Sequence, residues 1–281
     1  MSHDPAQMSL NAIARALRDG SLSAVSLAKT CIEQHDPSLN AYREWRPDLA
    51  LEQARRADAA LAQAQDLGAL QGIPVSVKDL YGVEQMETFA GSPAVMPAPW
   101  QNEGDLVKVL RDQHAVFTGK THTVEFAFGG LGVNSHWGTP RNPWDGTIHR
   151  VPGGSSSGAG VSLCEGSALL ALGSDTAGSV RIPASMTGNV GLKTSYGRWP
   201  VSGIFPLSPT LDTAGILTRT VADTVTAFSA IDPHQRSYGP RLAREVSRCN
   251  AGDFVIGTGE TALWSDCDPG IGEAVETALA E

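Results

Sequence analysis

Two short loops rich in glycine and serine constrain this chain more than any other feature of its sequence. The first loop reads GGSSSG over residues 153–158, and the second reads GSDTAGS over residues 173–179. Glycine lets backbone N–H groups approach a ligand closely, and serine supplies a hydroxyl that can act as a nucleophile or a hydrogen-bond partner. Apolar segments of helix and strand length separate the loops, so both can meet at one end of a sheet. This pattern predicts a catalytic site.

A polar side chain at the end of a predicted strand precedes both loops. Val75 and Val77 alternate with Ser76 and Lys78, and this period of two predicts a β-strand. Ser76 and Lys78 therefore point to the same side of the strand. A lone lysine at a strand end is usually a solvated surface charge. Periodicity alone thus leaves the role of Lys78 open.

Composition narrows the class of protein. The chain has 281 residues, of which 41% are hydrophobic and 18% are charged, as expected for a soluble globular protein with a substantial core. A formal net charge of −9 argues against a general nucleic-acid surface. The first residues lack the basic-then-apolar pattern of a secretory signal, and the apolar run at 168–172 is too short to span a bilayer. The four cysteines form no CxxC motif, so free thiols in the cytoplasm are expected.

The remaining periodicity predicts mixed helices and strands. Ser9 and Gly20 bound one predicted amphipathic helix, and Ser23 caps a second helix. Strands are predicted at 39–45, 115–118 and 254–257, β-like segments at 187–193 and 197–206, and helices at 105–113, 218–231 and 268–281.

Several separated motifs resemble the amidase signature family. They are GIPVSVKD at 72–79, TPRNPWD at 139–145, GSS at 154–156 and GSVRIP at 178–183, with the spacing from Ser155 to Ser179 also matching. The likeness runs from about Ser9 to the end of the chain. It implies an α/β fold in which α-helices surround a mixed β-sheet core. It also implies a single domain over residues 1–281, with a helical segment at about 9–66 and a catalytic core at about 70–231. Family members continue well beyond this length, so the resemblance implies either a shortened member or a fragment whose fold is incomplete at the C-terminus.

The resemblance implies a Ser–Ser–Lys triad. Ser179 matches the nucleophile that forms the acyl-enzyme, Ser155 matches the bridging serine with a cis peptide bond, and Lys78 matches the base. A lysine can act as a base only when neutral, so its pKa must fall from about 10.4 to about 7. Burial away from carboxylates would lower the pKa of Lys78 in this way, because desolvation disfavours the ammonium.

The resemblance also assigns the surroundings of the triad. The backbone N–H groups of Thr176, Ala177, Gly178 and Ser179 match an oxyanion hole, although family members often have glycine where this chain has Ala177. Ala127 is expected in the wall of the acyl pocket. Arg181 is expected either to bind an acidic substrate or to form a structural ion pair, with the second alternative favoured. The implied reaction is hydrolysis of a small-molecule amide without a cofactor or a metal, with no nucleic-acid or membrane partner. A homodimer is compatible with this interpretation.

Other interpretations of the same residues stay open. Residues 154–158 also satisfy G-x-S-x-G, the nucleophile elbow of α/β-hydrolases, with Ser156 as the nucleophile and Asp212 and His234 as partners in the required order. This elbow needs a preceding strand, and Val151-Pro152 is a poor one. Replacing Lys78 should abolish the activity of an amidase and spare that of an elbow enzyme.

Further hypotheses, within the same family or outside it, differ from a simple amide hydrolase. The chain could be a non-catalytic scaffold of amidase type, or an amidotransferase subunit that acts on charged tRNA with partner subunits. Residues 257–262 resemble the glycine-rich motif of dinucleotide-binding proteins, but too little sequence follows them for a βαβ unit. His122 and Glu125 lack the H-E-x-x-H spacing of zinc proteases, so no metal site is indicated.

Overall fold

The computed structural model describes residues 7–234, 241–259 and 266–280. The chain divides into two compact units, Met1–Ala243 and Arg244–Glu281. The helices are α1 (Leu10–Asp19), α2 (Ala24–Glu33), α3 (Pro47–Ala62), α4 (Asp105–Asp112), α5 (Ser157–Glu165), α6 (Arg181–Thr187), α7 (Val221–Ile231), α8 (Arg241–Val246) and α9 (Pro269–Ala280). The strands are β1 (Tyr42–Trp45), β2 (Pro74–Lys78), β3 (Val116–Thr121), β4 (Leu170–Asp175), β5 (Val190–Lys193) and β6 (Thr213–Thr218).

The six strands form one mixed sheet in the order β1-β3-β2-β4-β6-β5. β2 lies at the centre and pairs in parallel with both β3 and β4. The outer pairs β1–β3, β4–β6 and β5–β6 are antiparallel. Because neighbouring parallel strands end at the same edge of a sheet, the carboxyl ends of β2 and β4 come together. This arrangement confirms the α/β prediction of a mixed sheet surrounded by helices.

Helices cover both faces of the sheet. Successive strand residues point to opposite faces, so the alternation along β4 shows which core each face contributes to. Leu170 and Leu172 belong to the large core that also includes side chains of α1 to α4, whereas Ala171 belongs to a second core with α5 and α6. The first serine loop leads into α5 and the second leads into α6, so the second core holds the helices that follow both loops. No helix of the described ranges combines the length and the apolar character needed to cross a bilayer.

Local capping signals set the first two helices as predicted. The Ser9 side chain accepts a hydrogen bond from the Ala12 N–H at the start of α1, and Gly20 ends this helix in the left-handed conformation with φ of 76°. The Ser23 side chain accepts from the Ser26 N–H at the start of α2. These hydrogen bonds confirm both predicted helix starts.

Some predicted elements differ from the structure. The predicted second loop begins inside β4, and residues 197–206 form no strand beyond an isolated bridge between Tyr81 and Ile204. Residues 254–257 also form no strand. The strand expected before the dinucleotide-like motif is therefore missing, and residues 260–262 of that motif lie outside the described part. In the second unit, the structure describes α9 and a 3-10 turn at Ala251–Asp253. The single-domain assignment over residues 1–281 stays a prediction.

Candidate active site

Lys78 ends β2 at the edge where β4 also ends. Val77 is paired with Leu172 of β4, which places Lys78 beside the carboxyl end of that strand. The Lys78 side chain is fully buried. Its Nζ lies 2.7 Å from Ser155 Oγ and 2.9 Å from Ser174 Oγ. The side of β2 that carries Lys78 is therefore buried and makes polar contacts, and it is not a solvated surface.

Burial changes the proton affinity of this amine. Desolvation lowers the pKa of Lys78 from 10.5 to about 7, although the negative charges of Asp175 and Asp212 act in the opposite direction. At neutral pH a large fraction of Lys78 is therefore uncharged. An uncharged amine in contact with a hydroxyl can accept its proton, which is the property required of a general base.

The loop that presents Ser155 is held by close backbone packing. The peptide bond between Gly154 and Ser155 is cis, as the resemblance implies. A Cβ atom at Gly154 would lie 2.6 Å from the backbone nitrogen of Gly132, so only glycine fits at this position. The Ser155 carbonyl accepts a hydrogen bond from the Val124 N–H at 3.2 Å. These contacts fix Ser155, which is fully buried, against Lys78.

The buried carboxylate of Asp175 organises the second loop. It accepts hydrogen bonds from the N–H groups of Gly178 at 2.7 Å and Val180 at 3.2 Å. Arg181 adds two more hydrogen bonds, each 3.0 Å long, while its own side chain is half-exposed. Burial acts to raise the pKa of Asp175, but these hydrogen bonds outweigh it and hold the pKa below its usual value. The guanidinium of Arg181 therefore forms an ion pair within the loop.

Ser179 lies beside the first loop. Its carbonyl accepts a hydrogen bond from the Ser156 N–H at 3.2 Å, and the residue is 9% exposed. Ser179 lines an open cleft of about 430 Å³ together with Thr176 and Ala177. Among the predicted oxyanion donors, the N–H of Gly178 is used by Asp175 within the protein. The N–H groups of Thr176, Ala177 and Ser179 stay the predicted donors.

A second cavity adjoins this cleft. It has a volume of about 320 Å³, and Ala127, Thr176 and Leu207 line both spaces. The rings of Trp100 and Phe205 form part of its wall, with their centroids 5.6 Å apart. The cavity can therefore hold an apolar part of a ligand next to the serine loops.

The backbone is strained where Ala127 borders both spaces. Phe126 and Ala127 have φ values of 50° and 62°, in the left-handed region that residues other than glycine rarely adopt. The Ala127 N–H donates to the Val124 carbonyl at 2.9 Å and so closes the turn. The expectation that Ala127 belongs to the acyl pocket stays a prediction.

The elbow hypothesis lacks its structural context. No strand precedes α5, because residues 151–156 are irregular. Ser156 Oγ is buried and donates to the Ser174 carbonyl at 3.3 Å. The carboxylate of Asp212 accepts hydrogen bonds from Thr176 and from the segment at 207–208, instead of orienting His234. Within the described ranges, no group of three or more His, Cys, Asp or Glu side chains is placed to hold a metal ion.

The structure gives three polar residues contacts at the site that the sequence did not predict for them. Ser174 gives Lys78 its second hydroxyl neighbour, Asp175 holds the second loop, and Asp212 joins that loop to residues 207–208. Ser174 and Asp175 stand at the end of a strand parallel to β2, a position that could have indicated them once β4 was recognised. No local signal indicated the contact of Asp212 with Thr176.

Comparisons with known proteins identify the family to which the chain is similar. The sequence profile of the Amidase family matches residues 24–281. The chain is 55% identical over 277 residues to the 2-amino-5-chloromuconic acid deaminase of Comamonas testosteroni, covering 98% of this chain and 59% of that protein. It is 38% identical over 230 residues to a Glutamyl-tRNA(Gln) amidotransferase subunit from Carboxydothermus hydrogenoformans, covering 81% of this chain and 47% of that protein. The chain spans about half the length of the curated relatives it matches.

Solved structures resemble the fold over the same region. A crystal structure of an amidase has a TM-score of 0.75 and 37% sequence identity, covering 80% of this chain and 51% of its own. The native peptide amidase from Stenotrophomonas maltophilia has a TM-score of 0.73 and 31% identity, covering 82% of this chain and 50% of its own.

Proposed function

This chain belongs to the amidase family, and from that premise we propose that Lys78, Ser155 and Ser179 hydrolyse a carboxylic amide to an acid and an amine or ammonia. The family membership confirms the resemblance expected from the two serine loops and the lysine strand. The residue roles and the activity are the proposal.

The proposed reaction begins with the neutral amine of Lys78. Lys78 accepts the proton of Ser155 as Ser155 accepts the proton of Ser179, and Ser179 Oγ then bonds to the carbonyl carbon. The N–H groups of Thr176, Ala177 and Ser179 stabilise the oxyanion that forms. The C–N bond then breaks, and the leaving nitrogen receives the proton back from Lys78 through Ser155. Water attacks the acyl-enzyme by the same relay and releases the acid.

One contact carries this proposal. The Nζ of Lys78 lies 2.7 Å from Ser155 Oγ in a fully buried position, and burial lowers the pKa of that lysine to about 7. A charged, solvated lysine could not act as a base at neutral pH, whereas this one can. The backbone contact between Ser156 and Ser179 supports a short path from Ser155 to the proposed nucleophile.

The proposed substrate is a small molecule with a hydrolysable C–N bond. The relative that is 55% identical is named a deaminase of 2-amino-5-chloromuconic acid, so this acid is included in the substrate screen. Simple aliphatic, aryl and urea-like amides complete the screen. The apolar cavity lined by Trp100 and Phe205 supports the inclusion of aryl amides.

A second candidate function is that of one component in a glutamine-dependent amidotransferase. It rests on the 38% identity with a protein named as a Glutamyl-tRNA(Gln) amidotransferase subunit. The same three residues would then release ammonia from glutamine for a partner protein. Partner proteins that co-purify with the chain, together with glutaminase activity, would favour this function.

A fluorophosphonate probe tests the proposal without knowledge of the substrate. Ser179 should become labelled, as identified by mass spectrometry, and Lys78→Met and Ser155→Ala should each abolish that labelling. Ser156→Ala is the matched control, because Ser156 is adjacent to Ser155 and is the nucleophile of the elbow hypothesis. Equal labelling of Ser179 in the wild type and in Lys78→Met would refute the proposed base. A chain that is never labelled would instead support the non-catalytic scaffold.

A further inference from the structure

We infer that Asp212 is a positioning residue that clamps the candidate oxyanion loop to the segment at 207–208, which also lines the nucleophile cleft, an inference that rests on the proposed function. The half-buried Asp212 lies just before β6, and its carboxylate binds Thr176 and the segment at 207–208 rather than the serines of the proposed triad. Its negative charge also acts on Lys78, but the inferred role is to hold the two segments that it joins.

The two oxygens of the Asp212 carboxylate bind two different segments of the chain. Oδ1 accepts a hydrogen bond from the Thr176 hydroxyl at 2.5 Å. Oδ2 accepts the backbone N–H groups of Leu207 at 2.9 Å and Ser208 at 3.0 Å. Thr176, Leu207 and Ser208 all line the cleft that contains Ser179. A single carboxylate thus joins the loop before the nucleophile to a second segment that lines the same cleft.

The position of Asp212 next to the first residue of β6 fixes its backbone relative to the sheet. Thr213, the next residue, pairs with Asp175 in the β4–β6 ladder, and its hydroxyl donates to the Asp175 carbonyl at 2.7 Å. Thr176 immediately follows Asp175. The carboxylate therefore reaches Thr176 from a neighbouring strand, and the Thr176 N–H proposed as an oxyanion donor inherits its orientation from this contact.

Asp145 supplies a matched control elsewhere in the chain. Its carboxylate also accepts two backbone N–H groups, from Thr147 at 3.0 Å and Ile148 at 2.9 Å, and the Thr147 hydroxyl at 2.8 Å. It lines neither cavity next to the serine loops. Asp145→Ala therefore removes the same kind of turn contact without touching the proposed site.

The test compares the kinetics of Ser179 labelling by a fluorophosphonate in Asp212→Ala and Asp145→Ala. In this step the bond from Ser179 Oγ to phosphorus forms, fluoride leaves, and the serine proton passes through Ser155 to Lys78. A misplaced loop should lower the maximal labelling rate by about 100-fold, with the half-saturating probe concentration changed less than about threefold. Asp145→Ala should label at the wild-type rate.

A double substitution separates the clamp from a general structural role. Thr176→Val removes the hydroxyl donor, so Thr176→Val combined with Asp212→Ala should be no slower than Asp212→Ala alone, whereas independent roles would multiply the two losses. Labelling of Asp212→Ala at the rate of Asp145→Ala would overturn the inference. A raised half-saturating concentration with an unchanged maximal rate would overturn it as well, because that result indicates a binding residue.

Amide hydrogen exchange keeps this inference distinguishable from the proposed function. If wild-type labelling proves independent of Lys78, the proposed function fails and exchange decides the clamp. The clamp predicts at least tenfold faster exchange at Leu207 and Ser208 in Asp212→Ala than in Asp145→Ala, since their acceptor is removed. Unchanged exchange at both residues would overturn it.

Discussion

Replacing Lys78 with methionine should change stability in a way that depends on pH. The folded state holds this amine with a pKa lowered by burial to about 7, against 10.5 for the exposed side chain. Between these values the unfolded chain binds a proton that the folded chain does not, so the contribution of Lys78 to stability rises with pH. Below about pH 7 the full penalty of burying the amine is present. Methionine has a similar length and carries no titratable group, so this penalty disappears in the variant.

The pKa values give the size of the effect. Each pH unit is worth about 1.4 kcal/mol while only the unfolded chain is protonated, and the folded amine is half-protonated at about pH 7. Between pH 7 and pH 9, the unfolding free energy of the wild type minus that of Lys78→Met should therefore rise by about 2 kcal/mol. The lost contacts with Ser155 and Ser174 cost the same at both pH values and cancel. Lys120, the other buried lysine, is present in both proteins, so its contribution to the pH dependence of the unfolding free energy also cancels.

Urea denaturation at pH 7 and pH 9 measures this difference. Lys29→Met, at an exposed position of α2, is the control that removes a surface amine. A difference between wild type and Lys78→Met that is the same at both pH values would refute the reasoning. It would mean that the folded protein holds Lys78 with its usual proton affinity.

Two further substitutions test the packing around the site by their effect on the unfolding free energy. Gly158→Ala should lower the unfolding free energy by about 3 kcal/mol or more, because its Cβ would lie 2.0 Å from a backbone oxygen. Gly146 has open space around it, so Gly146→Ala should change the unfolding free energy by no more than about 0.5 kcal/mol. Equal effects of the two substitutions would contradict this packing. Asp79→Asn should cost about 3–5 kcal/mol, since it removes the carboxylate that lies 3.0 Å from the buried amine of Lys120 and 2.9 Å from Arg43, which keeps its ion pair with Glu44. A loss below about 1 kcal/mol would show that this cluster does not need the charge.

Features that depend on neighbouring residues could be predicted from the sequence. Ser9 and Ser23 cap helices through hydrogen bonds to residues three positions away, so the signal and the contact lie in the same few residues. The alternation over Pro74–Lys78 likewise predicted β2 and placed Ser76 and Lys78 on one side of it. The polar character of that side did not reveal that it is buried, because the groups that cover it, Ser162 of α5 and Ser155, come from distant parts of the chain.

Features that depend on strand pairing could not be predicted in this way. The contact of Asp212 with Thr176 exists because β6 lies antiparallel to β4 with Thr213 opposite Asp175. Local β-propensity also predicted a strand at 254–257, where Val255 is fully exposed. Propensity alone does not form a strand without a partner to supply hydrogen bonds. The roles of Lys78 and Ser155 came from the family resemblance, not from periodicity.

The pH dependence of Ser179 labelling tests the central claim most directly. A fluorophosphonate should react with Ser179 at a rate that rises with pH and reaches half of its maximum near the Lys78 pKa of about 7, because only the neutral amine can accept the relayed proton. A rate that stays constant from about pH 5.5 to about pH 8.5 would contradict the claim that buried Lys78 is the base, since its protonation changes across this range.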